Sequence, residues 1–226
     1  MDVEFICLAN SWREEGRCVA GIRTDGGGWI RPVSDTGSGR LTQAHYTYTD
    51  GQPARVLDVI RVSVAEHRPL PHQPGNWTLE DRRWVLVDRI NAADAGANLD
   101  PYLTRGPALF GDVRRYLEHA AVVAHPIASS LALVEPEALA WQVNTFRNAR
   151  KPRASFTLSG AAWDLPVTDP EWTDAIKQLG PGNHPRAALG IGPRDRILFA
   201  ISLAGPMAIQ NHNCYKLIAG IVRIPR

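Results

Sequence analysis

Short apolar runs broken by glycine, proline and asparagine dominate the chain, and stretches with helical spacing are few. Val3 to Ala9, Arg17 to Thr24 and Trp29 to Val33 read as strands, the last two joined by the turn Asp25-Gly26-Gly27-Gly28. "VLDVIRVSV" (56–64) alternates apolar with polar or small residues, and "WVLVDRI" (84–90) supplies another strand after the proline-rich "RPLPHQPGN" (68–76). About five strands is the size of one small barrel. "PALFGDVRRYLEHAA" (107–121) predicts a helix, with Leu109, Phe110, Val113 and Leu117 on one face and Arg114, Arg115 and Glu118 opposite. Beyond it, "SSLALVEP", "RASFTLSGAAWDLPVT" with a turn at Ser159-Gly160, "ILFAISLAG" and "CYKLIAGIVRI" predict strands. "DPEWTDAIKQL" predicts a short helix with Asp169 as its cap and Pro170 just inside.

The two ends of the chain match each other. "FICLANSWREEGRCVAGIR" and "FAISLAGPMAIQNHNCYKLIAGIVR" both run strand, Leu-Ala, polar loop, basic residue and Ala-Gly-Ile. Arg17 aligns with Lys216, Val19 with Ile218, and Ala20-Gly21-Ile22 with Ala219-Gly220-Ile221. A duplicated small β-barrel accounts for this; chance similarity between two apolar strands is the alternative.

"CLANSW", "GRCVAGI" and "GWIRPVS" at the front, "VLDVIRV" in the middle, and "RASFTLSGAAWDLPVTDPEW", "ISLAGPM" and "CYKLIAGIV" at the back resemble, in that order and over nearly the full length, the dual OB-containing domain family. The resemblance implies a mainly β fold of two small OB-like barrels in tandem, together with a broad association with nucleic acid. On the pattern above, the first barrel spans 1–105, a connecting helix 106–122 and the second barrel 123–226. One departure concerns "GPMAIQNHN" (205–213), a loop longer than the family pattern; because such loops help set ligand choice, no substrate is carried over.

Composition adds little direction. The net charge of +2 is too mild to announce a nucleic-acid binder, so the placement of charge must carry that argument. Lys151, Lys177 and Lys216 are the only lysines; arginine, which makes up the rest, suits bidentate phosphate contacts and stacking, although a coding bias explains the same excess. Three cysteines and a start without a signal-like segment lead to the expectation of a cytoplasmic protein, and no apolar run has the length of a membrane span.

Binding a nucleic-acid strand takes cations along its phosphates and flat side chains beneath its bases. Trp12 and Arg13 fall in the first loop, Arg17 opens the next strand, and alternation puts Trp29 and Arg31 on one face, away from Ile30. Each has a structural alternative: Trp29 closing the barrel end, Arg31 pairing with Asp35 or Asp58, Trp12 plugging the junction between barrels. "FRNARKPR" gathers Arg147, Arg150, Lys151 and Arg153 in the densest positive run, a phosphate site or a solvated loop. Lys216 gives the second barrel its own basic strand residue.

No hydrolase motif, Walker loop or zinc-ligand spacing is present, and no metal or cofactor is expected. Cys7 and Cys18 read as buried thiols. The reading from sequence is a non-catalytic protein that binds nucleic acid, single-stranded or structured, DNA or RNA. The alternatives are a protein-interaction module, and an enzyme on nucleotides or nucleic acid centred on Asp164 and Asp169, the latter residue also explained by helix capping.

Overall fold

The structure, a computed structural model, describes residues 1–13, 16–36, 39–208 and 211–226 and, of Arg13, the backbone alone. The fold is mainly β, with 50% of the chain in strands and 13% in helices, and it consists of a closed five-strand barrel plus a half-barrel sheet, consistent with two OB-like barrels.

Strands β1 (Asp2–Arg13), β2 (Gly16–Arg23), β3 (Trp29–Val33), β4 (Asp58–His67) and β5 (Asn76–Leu79) form the closed barrel. Their order is β1-β2-β3-β5-β4 and back to β1, every pairing antiparallel except β3 with β5. β6 (Val85–Arg89) is the expected strand after the proline-rich loop, yet it adds to β4 instead of closing the barrel. The closing strand is β5, four residues at the end of the stretch read as loop and just beyond it, too short to show alternation and preceded by Pro74-Gly75.

Helix α1 (Ala95–Leu99) follows, then β7 (Tyr116–Glu118) and helix α2 (His119–Ala124). The helix expected over 107–121 is thus confined to its last residues. Phe110 and Gly111 take positive φ, which ends any helix there, and Leu109 and Asp112 bond to each other across that turn. Of the expected apolar face, Leu109 and Leu117 are buried but Val113 is exposed.

The rest of the chain forms β8 (Leu131–Val134), β9 (Glu137–Phe146), β10 (Ala149–Leu158), β11 (Ala161–Pro166), helix α3 (Pro170–Gln178), β12 (Gly182–Pro185), β13 (Arg196–Leu203) and β14 (Asn213–Ile224). Two four-stranded sheets, ordered β11-β10-β9-β12 and β7-β14-β13-β8, share one core that includes Trp141, Phe156, Trp163, Phe199 and Ile218. The turns Arg147-Asn148 and Ser159-Gly160 both have positive φ at their two central residues, the twist a tight hairpin favours.

The halves meet over β1, whose two faces are both buried. Val3, Phe5 and Cys7 enter the first barrel, while Ile6, Leu8 and Ala9 join a separate cluster with Leu131, Leu133, Leu198, Ala200, Ala219 and Val222 from the second half. The matched termini take matched places: Val19 and Ile218 lie in the two barrel cores, and Ala20 and Ala219 both lie in the seam. Backbones approach so closely there that a Cβ on Gly220 would stand 1.9 Å from the Leu8 carbonyl oxygen.

A short clasp after β11 secures this approach. The Trp12 N–H, near the end of β1, donates to the Thr168 carbonyl (2.9 Å), and Thr168 donates through its N–H and hydroxyl to the Ile218 carbonyl of β14 (2.9 and 3.0 Å). Asp169 is buried and caps α3, accepting from the Trp172 N–H (3.3 Å) as the sequence predicts, and also accepts from the Ile221 N–H (3.0 Å). Burial pushes its carboxyl up to about 6.

Two outcomes follow. Gly220→Ala should destabilise the protein by more than the roughly 1–3 kcal/mol of ordinary overpacking, because a backbone carbonyl rather than a side chain must move; chemical denaturation measures it, and a neutral effect would refute the close approach. Asp169 holds its proton more tightly folded than unfolded between its ordinary 3.8 and about 6, so unfolding free energy declines as pH rises through that window. Relative to Asp169→Asn, neutral throughout, the unsubstituted protein should lose on the order of 3 kcal/mol across it; parallel stability curves would show that the carboxyl does not titrate there.

Candidate nucleic-acid interface

A cleft of about 580 Å³ opens where the end of β1, the β10–β11 hairpin, α3 and β14 converge. Its walls carry Arg115, Arg150, Lys151, Arg153, Lys177 and Lys216 against one carboxylate, Asp164, with the rings of Trp12 and Tyr215 beside them. The net charge of the chain conceals this concentration.

Each cation is held differently. Arg153 binds Asp164 through its Nε (2.7 Å to Oδ1) and donates Nη2 to the same residue's carbonyl (2.8 Å), and Arg115 shares that carboxylate at 3.5 Å, so one negative charge sits between two positive ones. Arg150 donates to the Lys177 carbonyl at the C-terminal end of α3 (2.6 Å), where a cation also meets the negative end of the helix dipole. Lys151 is exposed and makes no ion pair among the described residues. Lys216 is buried, donating its ammonium to the carbonyls of Asp112 (2.6 Å) and Arg114 (2.7 Å) with the Trp163 ring centroid 4.8 Å away. Burial lowers its pKa from 10.5 to about 8. Those carbonyls would serve intrahelical bonds in a helix over 107–121; here they serve Lys216 and bring Arg115 to the cleft wall.

Trp12 is 49% exposed, with the Arg17 guanidinium 3.7 Å from its ring centroid. Arg17 faces a second cleft, of about 520 Å³, whose walls include Asn10, Tyr46, Arg55, Arg89, Asp169 and Trp172. The Trp12–Arg17 stack therefore has one member in each cleft.

Of the residues singled out from sequence, Trp12, Arg150, Lys151, Arg153 and Lys216 come together in the first cleft, and Arg17 stacks behind Trp12. "FRNARKPR" is not a loop before a strand but the β9–β10 hairpin, with Arg147 at its turn, 5.4 Å from the exposed Phe146 ring and off the cleft wall. Trp29 and Arg31 do lie opposite Ile30, but that face is covered by the second half. Trp29 packs on the seam, and Arg31 is 1% exposed, donating to the Ser202 hydroxyl at 2.9 Å. Asp58, weighed as its partner, binds Arg89 and the Tyr48 hydroxyl. The side chain of Arg13 lies outside the described residues, as do residues 209 and 210 of the long 205–213 loop.

Arg115, Lys177 and Tyr215 carry no site signal in the sequence. Arg115 stands on the polar face of the expected helix, Lys177 belongs to a short helix with no reason to face a site, and only the neighbour of Tyr215, Lys216, attracts notice. Asp164 and Asp169 line different clefts, and no histidine lines either among the described residues. No cluster of three or more His, Cys, Asp or Glu is placed to hold a metal among those residues, and Cys7 and Cys214 are buried free thiols while Cys18 is half-buried. No helix of the described residues is long and apolar enough to cross a membrane.

No curated protein matches the chain. Among solved structures, a crystal structure of the tetrameric p202 HIN2 is similar at 8% identity with a TM-score of 0.27, covering 96% of this chain and 91% of that one, too loose a likeness to bear on the fold. A family model described as the dual OB-containing domain matches residues 3–221, and with the closed barrel and half-barrel in place the chain belongs to that family.

Proposed function

We propose that the protein binds single-stranded nucleic acid, with the phosphates running through the first cleft and one base on Trp12. The observation that carries this reading is the convergence of Arg150, Lys151, Arg115, Lys177 and Lys216 beside an exposed tryptophan, a pairing of backbone charge with a stacking platform. A solvated basic face would scatter these cations over the surface. Here four separate segments deliver them to one concavity. Binding, rather than reaction, is the reading, because Asp164 is already engaged by Arg153 and Arg115, and Asp169 by two backbone N–H groups.

A protein-docking role is the second reading, and it rests on β6, which exposes Val85, Leu86 and Val87.

Fluorescence anisotropy with labelled single-stranded DNA, single-stranded RNA and duplex over a salt series tests the first reading. Affinity should fall steeply with salt, and Arg150→Ser with Lys151→Ser should flatten the logarithmic slope by about 0.7 for each phosphate no longer neutralised. Trp12→Ala should cost about 1–3 kcal/mol with the slope unchanged. Absence of binding to all three at low salt would shift the reading to protein docking.

A further inference from the structure

Three polar atoms around the second cleft lack partners. Nε and Nη1 of Arg17 and Oδ1 of Asn10 are buried and have no hydrogen-bond partner among the described residues, while Asn10 is held in place by its own Nδ2 donating to the Ala54 carbonyl (2.6 Å). Both residues belong to the same wall. Buried polar atoms without partners are rare and call for a ligand or solvent to complete them. A ligand completing this set must offer acceptors to a guanidinium and a donor to an amide oxygen.

We propose that the second cleft is a nucleobase subsite for the same strand whose phosphates occupy the first, a proposal that rests on the reading given above. A base is flat and carries both donors and acceptors on its edge, which suits Arg17 and Asn10 together with the rings of Tyr46 and Trp172 in the same walls. A phosphate suits the cleft less well: it has no donor for Asn10 Oδ1, Glu171 and Asp169 also line the cleft, and of its other two arginines Arg89 is already paired with Asp58 and Arg55 donates to Gln52. The route between the clefts is already built, since Trp12 in the first lies against Arg17 in the second. A strand stacked on Trp12 has its neighbouring base delivered beside Arg17. On this account Arg17 reads a base edge and is not a phosphate contact.

The two roles of Arg17 predict different measurements. Labelled homopolymers of A, C and T of about eight nucleotides, a length one OB barrel can cover, are titrated against the full chain and its variants at several salt concentrations. The unsubstituted protein should separate the best from the worst base by about tenfold. Arg17→Met, which keeps an apolar chain against Trp12, and Asn10→Ser should each level those affinities while leaving the salt slope unchanged. A uniform loss with Arg17→Met, with the slope flattened as for one phosphate, would make Arg17 a phosphate ligand and overturn the proposal, as would base preference surviving both substitutions. Equal binding of all three homopolymers by the unsubstituted protein would also overturn it, with the reading of the first cleft left standing. No binding of any strand would overturn both.

Discussion

The close approach of β1 and β14 is the constraint on which the rest of the molecule depends. Two backbones that near to each other admit no side chain at the point of approach, a demand that Gly220 meets, while the small matched residues Ala20 and Ala219 pack in the seam around it. The apolar residues on either side then bury β1 on both faces, so the first barrel and the half-barrel share a layer of core. The sharing also explains why the seam carries buried polar groups that bridge distant parts of the chain, such as Arg31 with Ser202. Once enclosed, such a group needs its partner, since an unpaired buried donor costs about 1–3 kcal/mol.

The candidate site is a by-product of that constraint. Thr168 ties β1 to β14 and Asp169 ties α3 to β14, and these two neighbours stand one in each cleft. Trp12 is carried to the rim because its backbone is bonded to Thr168, and Arg17 lies on it because the two are register partners across the β1–β2 hairpin. The basic residues arrive from β10, α3, β14 and the segment before β7. No single stretch of sequence contains more than part of the site.

That dispersal decides what can be read from sequence. Strands β1 to β4, the Ser159-Gly160 hairpin, the Asp169 cap and the equivalence of the termini are legible, because each depends on local periodicity, turn chemistry or a repeated segment; the exception is the end of β1, where Trp12 and Arg13, read as loop because the apolar run stops at Ala9, continue the strand by pairing with β2. The 107–121 segment is not, because its helical spacing is real but Gly111 breaks it and Lys216, about a hundred residues away, claims its carbonyls. Arg31 shows the same limit from the other side. Alternation gives the correct face, and nothing local reveals that another half of the chain covers it. Trp12, Arg17, Arg150, Lys151, Arg153 and Lys216 stand out in the sequence for charge or ring, and they converge because they sit on elements whose neighbours the sequence does specify.

An indole ring has two faces, and in this protein one of them is taken. With the Arg17 guanidinium against Trp12 at 3.7 Å, only the opposite face is open to a flat partner. For a strand bound as proposed, the ring would be an end-stop rather than a wedge: it could terminate a stack but not be inserted between two bases. A strand lying here would have its regular stacking interrupted at that point, and the interruption would have an inherent direction. The guanidinium also holds the indole still, and rigidity of that kind lowers the ordering cost of binding without adding a contact.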